Sequence, residues 1–280
     1  QPAYAGYAGN CTDVPATVDG DAYISDENAC TISHSVTATG SISVFSLNSS
    51  VTAQGLTSTT GQVTVKGTSV TTENITASRH LKVDATDGTI SLGDITANAG
   101  DENGTGNTST TGSSGYGAVQ IHANTDGGNT VFSVGGGGSN GTGTIDTRTA
   151  TGGGTSVSFI HGGVYVMNGN SASTGGITLN AMTDVLVESS GSRSGIIILD
   201  AKAGTLTLPA GTLKSNGSSG FNAGYMALLA HQIDAADGAI LSVSQGPTES
   251  PAYYTIQIAA ETVNVTGSNG LQIKTDGNSF

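Results

Sequence analysis

Three short stretches, Ile42-Ser43-Val44-Phe45-Ser46, Val63-Thr64-Val65-Lys66-Gly67 and Leu81-Lys82-Val83-Asp84-Ala85, repeat one pattern: apolar, any, apolar, any, small. Alternation with a period of two marks a strand that buries one face. The unit recurs at 119–123, 157–161, 177–181, 197–201, 226–230 and 256–260, with His161 in place of the small residue and Leu229 where a polar one is usual. The final residues of the nine units are 46, 67, 85, 123, 161, 181, 201, 230 and 260, a basic period of about 20 with longer intervals. After most units a turn rich in Gly, Asp, Ser or Thr leads to a second alternating stretch, at 89–92, 130–134, 164–166, 185–187, 205–208, 240–243 and 263–265.

Two strands per period describe coils of a solenoid and not hairpins of a barrel. The expected fold is therefore all-β: a right-handed parallel β-helix (β-solenoid) with coils of about 20 residues, each pairing with the next at about 4.8 Å. The long intervals are explained by Gly-, Ser-, Thr-, Asn- or Pro-rich segments at 104–117, 135–143, 211–224 and 245–252, read as loops inserted at coil corners. The two 38-residue intervals leave room for one coil or two. Asp87-Gly88, Asp126-Gly127, Asp237-Gly238 and Asp276-Gly277 read as corner turns.

Composition agrees. Of 280 residues 43 are Gly, none is Trp and only 5% are aromatic, so Val, Ile, Leu and Ala must fill a thin interior. Charged residues make up 10%, and 21 acids against 8 bases leave a formal charge of -13. The eight bases are scattered along the chain, which argues against a nucleic-acid partner. Apolar runs such as 196–199 are too short for a membrane span, so a soluble chain is expected. It begins at Gln1, as if a signal peptide had been removed, and the expected location is secreted, extracellular or at the cell surface. Eight sequons, at Asn10, Asn48, Asn74, Asn103, Asn107, Asn140, Asn216 and Asn264, are possible glycosylation sites, a mild excess over the roughly five that chance gives.

The run from Ser194-Gly195-Ile196-Ile197-Ile198-Leu199-Asp200-Ala201 to Thr205-Leu206-Thr207-Leu208, and Gly175-Gly176-Ile177-Thr178-Leu179-Asn180-Ala181, resemble the repeats of filamentous haemagglutinin-type exoproteins. The likeness is one of periodic style and covers roughly residues 40–268. It implies an exported right-handed β-helix that serves adhesion or surface structure without catalysis.

Three regions are expected: an extended arm at 1–10, a disulfide-stapled cap or first coil at 11–40, and the β-helix at 41–280. Cys11 and Cys30, the only cysteines, lie one coil apart, a spacing that brings stacked residues within disulfide reach. Asp19, Asp21, Asp26 and Glu27 read as a solvated capping loop, with no metal and no cofactor expected. No carboxylate pair can be shown to converge among Asp84, Glu188 and Asp200, and the five histidines have no ligand spacing. No catalytic residue is assigned and an enzyme is not expected; a polysaccharide lyase or hydrolase is the alternative. Threonines do not recur as Thr-x-Thr at one corner of each coil, which argues against an ice-binding ladder. The leading expectation is an extracellular structural protein that stacks head-to-tail on itself as a homopolymer. Tyr4 and Tyr7 of the arm, with Leu271, Ile273 and Phe280 at the other end, would make the contact; the alternative for the arm is that it folds back on its own first coil. A monomeric adhesin or carbohydrate-binding module for cell-surface or matrix glycans is the other reading.

Overall fold

The computed structural model describes residues 6–79, 81–86, 90–93, 95–97, 119–123, 131–134, 145–146, 163–168, 176–179, 182–188, 196–216, 225–244, 255–275 and 278–279. No helix occurs among them. Strands fall into three sheets of 10, 9 and 11 members, and between Thr17–Val18 and Gln272–Thr275 each strand pairs with the third one along the chain. The pairings are parallel, save the last, where Asn278–Ser279 runs antiparallel to Gln272–Thr275. The chain thus advances in solenoid-like turns, each giving one strand to each sheet.

The first full turn comprises Ala22–Asp26, Cys30–Ile32 and Val36–Ala38. Above it lie Ile42–Ser46, Val51–Ala53 and Leu56–Ser58, then Val63–Gly67, Val70–Thr72 and Ile75–Ala77. Each strand alternates buried and outward side chains, and Val63–Gly67 shows how: Val63, Val65 and Gly67 point in, Thr64 and Lys66 out. In-register pairing then stacks like on like. Ile24, Val44, Val65, Val83 and Ile121 form one fully buried column. A β-branched side chain suits such a column because its stiff rotamer meets the same neighbour above and below.

The expected two strands per turn are three. The missed ones, Val36–Ala38, Leu56–Ser58, Ile75–Ala77 and Ile95–Ala97, are three residues long and complete only one alternation, too little to stand out as a period. Two assignments exchange places. Ile177 belongs to the second sheet, beside Phe132 and Leu206, whereas Val164 belongs to the first, between Val119 and Ile197. Stretches 185–187 and 240–243 lie in the third sheet, not the second. Leu81 pairs directly with Val119, and Val119 with Val164, so one turn separates each pair. The unit at 157–161 and the insertions at 104–117, 135–143 and 245–252 lie outside the described residues. The insertion expected at 211–224 begins later, because Gly211–Asn216 is a strand of the third sheet. Of the Asp-Gly corners, Asp237-Gly238 is described: Gly238 turns with φ 79°, in the left-handed region that favours glycine.

Two stability changes are expected. Cys11 and Cys30 are bonded, 19 residues apart, and reducing them should cost about 3 kcal/mol by loop-closure entropy, read as a lower melting temperature with reductant than without. Thr72 points into the core, fully buried, and its hydroxyl has no hydrogen-bond partner. Replacing it with the near-isosteric Val should raise stability by about 1 kcal/mol in chemical denaturation, since an unsatisfied buried hydroxyl is then removed.

Candidate functional site

The two ends of the described turns differ. At the amino-terminal end, residues 6–18 fold over the first turn. Tyr7–Gly9 pairs in parallel with Ala22, Tyr23 and Ile24 of the same chain, and the Tyr7 hydroxyl donates to the Asn10 carbonyl at 2.9 Å. The described part of the arm folds back on its own first turn: Tyr7 packs against its own core, and Tyr4 lies outside the described residues. Cys11, Val14 and Val18 are buried beneath this lid, while Thr12, Asp13, Pro15 and Ala16 face solvent. The acidic residues tie neighbouring segments together. Asp26 accepts from the Cys11 amide at 2.9 Å, Asp21 from the Ser41 amide at 2.7 Å, and Asp19 from the Thr39 hydroxyl at 3.2 Å.

At the other end, Thr255–Ala259, Thr262–Val265 and Gln272–Thr275 form the last turn. Val263 pairs with Ile233 and Val265 with Ala235, residues that are 1% and 2% exposed in the turn below. In the last turn the same inward positions stand open: Val263 is 45% exposed and Val265 41%. Leu271 and Ile273 are half-buried, and Phe280 lies outside the described residues. Asn278–Ser279 closes the third sheet's edge with two antiparallel residues, and among the described residues no strand pairs with the last strands of the first and second sheets.

Outward faces carry ladders that the sequence reading missed. In the third sheet Thr17, Thr37, Thr57, Thr76 and Thr96 stack in register, and Thr39, Thr59 and Ser78 follow two positions on. The single threonine column is continuous over five turns, whereas a full Thr-x-Thr stands in two of them, Thr37-Ala38-Thr39 and Thr57-Ser58-Thr59. The threonines sit in three-residue strands whose spacing is uneven in sequence, and only the register lines them up. β-Branched side chains and cross-strand Thr pairs stabilise a solvated strand face, which accounts for the ladder.

Among the sequons, Asn48 and Asn74 are exposed, and Asn264 is exposed while donating to Asp234 at 2.8 Å. Asn10 donates to Asp13 at 2.8 Å and accepts from the Asp13 amide, which holds its side chain in a local turn. Asn216 ends a strand; Asn103, Asn107 and Asn140 lie outside the described residues.

These features define a β-rich, solenoid-like protein whose first turn lies under a lid and whose last described turn exposes Val263 and Val265. No protein-family model matches the chain, and no curated protein or solved structure matches it either. The likeness to filamentous haemagglutinin-type repeats thus rests on the residues alone. No helix among the described residues is long and apolar enough to cross a membrane, and the disulfide is a bond that persists in oxidising compartments.

The lid has an alkaline signature. Burial, reinforced by Asp13 and Asp26, raises the Tyr7 phenol above its ordinary value of 10.0. Folding therefore favours the neutral phenol, whose contribution is complete below pH 10 and is lost as the pH climbs through the raised value. Measured from pH 9 to 12, the melting temperature of the native protein should fall more steeply than that of Tyr7→Phe.

Proposed function

We propose that the chain is an exported, non-enzymatic structural protein, a right-handed β-helix with turns of about 20 residues that associates end to end through its last turn. Right-handedness follows the strong preference of parallel crossover connections, about 98% of which have that hand. Export is supported by the disulfide, and a surface role by the resemblance to filamentous haemagglutinin-type repeats.

The observation that carries the reading is the exposure of Val263 and Val265 at positions that are core one turn below. Unpaired parallel edges beside apolar inward side chains form a template for another strand layer. The partner is a second copy of this chain. At the lid end, Thr12 and Asp13 offer a polar surface that does not complement an apolar edge, so two open ends suit each other better than an open end suits a lid. Such a self-complementary contact closes as a two-fold pair, whereas head-to-tail stacking would continue as a filament.

Sedimentation velocity across a concentration series tests this. The native protein should form a dimer, and Val263→Lys with Val265→Lys should give a monomer with an unchanged melting temperature. Fibres in negative stain would replace the pair with head-to-tail stacking. A monomer at every concentration would remove end-to-end association altogether.

A further inference from the structure

A cleft of about 450 Å³ runs along the corner where the third sheet passes into the first, across the turns that carry Asp21, Ser41, Gln62 and Arg79. Its floor needs Gly40 and Gly61. A Cβ on Gly61 would lie 2.5 Å from the Ser41 amide nitrogen, and one on Gly40 would lie 2.8 Å from the Gly20 carbonyl carbon. No side chain can fill the groove from those positions.

The groups around the cleft are complementary to one kind of ligand. The Arg79 guanidinium makes no hydrogen bond or ion pair within the described residues, although its backbone amide bonds the Gly61 carbonyl at 3.0 Å. Gln62 lines the cleft, and its side-chain oxygen is buried with no hydrogen-bond partner among the described residues. Asp21 accepts from the Ser41 amide through one oxygen, and its other oxygen has no partner among the described residues. Outside the cleft's lining, two positions on from Asp21 along the outer face, Tyr23 is 52% exposed and meets Phe45 with ring centroids 5.5 Å apart. Lys82, three residues on from Arg79, is paired with Asp84 at 3.4 Å, so Arg79 is the one base among the described residues that line the cleft.

We propose that this corner cleft binds an oligosaccharide containing hexuronate residues, with a sugar carboxylate on Arg79, sugar hydroxyls on Gln62 and Asp21, and a pyranose face against Tyr23. An exposed aromatic offers an apolar plate to the C–H face of a sugar, and a planar guanidinium matches a carboxylate in two parallel hydrogen bonds. The volume falls in the range of small-molecule sites, roughly 300–1,000 Å³. About 14 Å separates the turns of Asp21 and Arg79 at strand spacing, enough for two to three sugar rings lying along the axis.

Titration calorimetry with a galacturonate tetramer, and with the neutral cellotetraose as control, tests the site. The native protein should bind the uronate tetramer and bind cellotetraose at least tenfold more weakly. Arg79→Gln should weaken uronate binding tenfold or more with no change in melting temperature; Arg79→Lys should recover part of the loss, because the charge returns without the fork. Tyr23→Ala should weaken it severalfold. The site does not depend on association of the chains, so Val263→Lys with Val265→Lys should bind the tetramer as the native protein does. Equal affinity for both tetramers, uronate binding untouched in Arg79→Gln, or no heat from the native protein would each overturn the proposal.

Discussion

Everything in this fold hangs on parallel register. Each turn must return its backbone to a point one strand spacing above the turn below, so that amide and carbonyl pair along three sheets at once. When it does, Ile24, Val44, Val65, Val83 and Ile121 meet in a single buried column. A slip of one residue would turn every inward side chain outward. The corners therefore matter as much as the strands. Gly61 admits a backbone approach that any Cβ would block, and carboxylates such as Asp21 and Asp237 hold the next corner, Asp237 by accepting from the amides of Asn269 and Gly270.

Register also frees the outer surface. Because the interior and the ladders specify the fold, outward positions can differ from sheet to sheet without disturbing it. The third sheet uses this freedom for threonine, whereas the first sheet places Tyr23, Phe45, Lys66 and Lys82 on its outer face. Function on such a scaffold lies in the columns that a face presents and not in the fold itself.

The first-sheet strands were legible because five residues hold two and a half alternations, and the buried columns followed from them. Three-residue strands such as Leu56–Ser58 were not, since Leu-Thr-Ser alone has no period. Ile177-Thr178-Leu179 matches the first-sheet pattern in sequence yet pairs in the second sheet; both sheets bury alternate residues, so only the neighbours Phe132 and Leu206 distinguish them. The disulfide was legible from a spacing of one turn. The cleft was not, because Asp21, Gln62 and Arg79 are far apart in sequence and meet only through stacking, as do the threonines of the third sheet.

The disulfide sits at one end of an otherwise repetitive rod, and this gives the molecule a direction. Every interior turn is held by its two neighbours, but among the described residues the turn of Thr255–Ala259 and Thr262–Val265 has a neighbour on one side only. In a stack where stability is a sum of nearest-neighbour contacts, that turn detaches first and exposes the next to the same fate. Cys11 and Cys30 bar the same sequence from starting at the opposite end. Under tension such a stack behaves as a zip with a stop: it peels from the last described turn, one turn at a time, toward a covalent clasp.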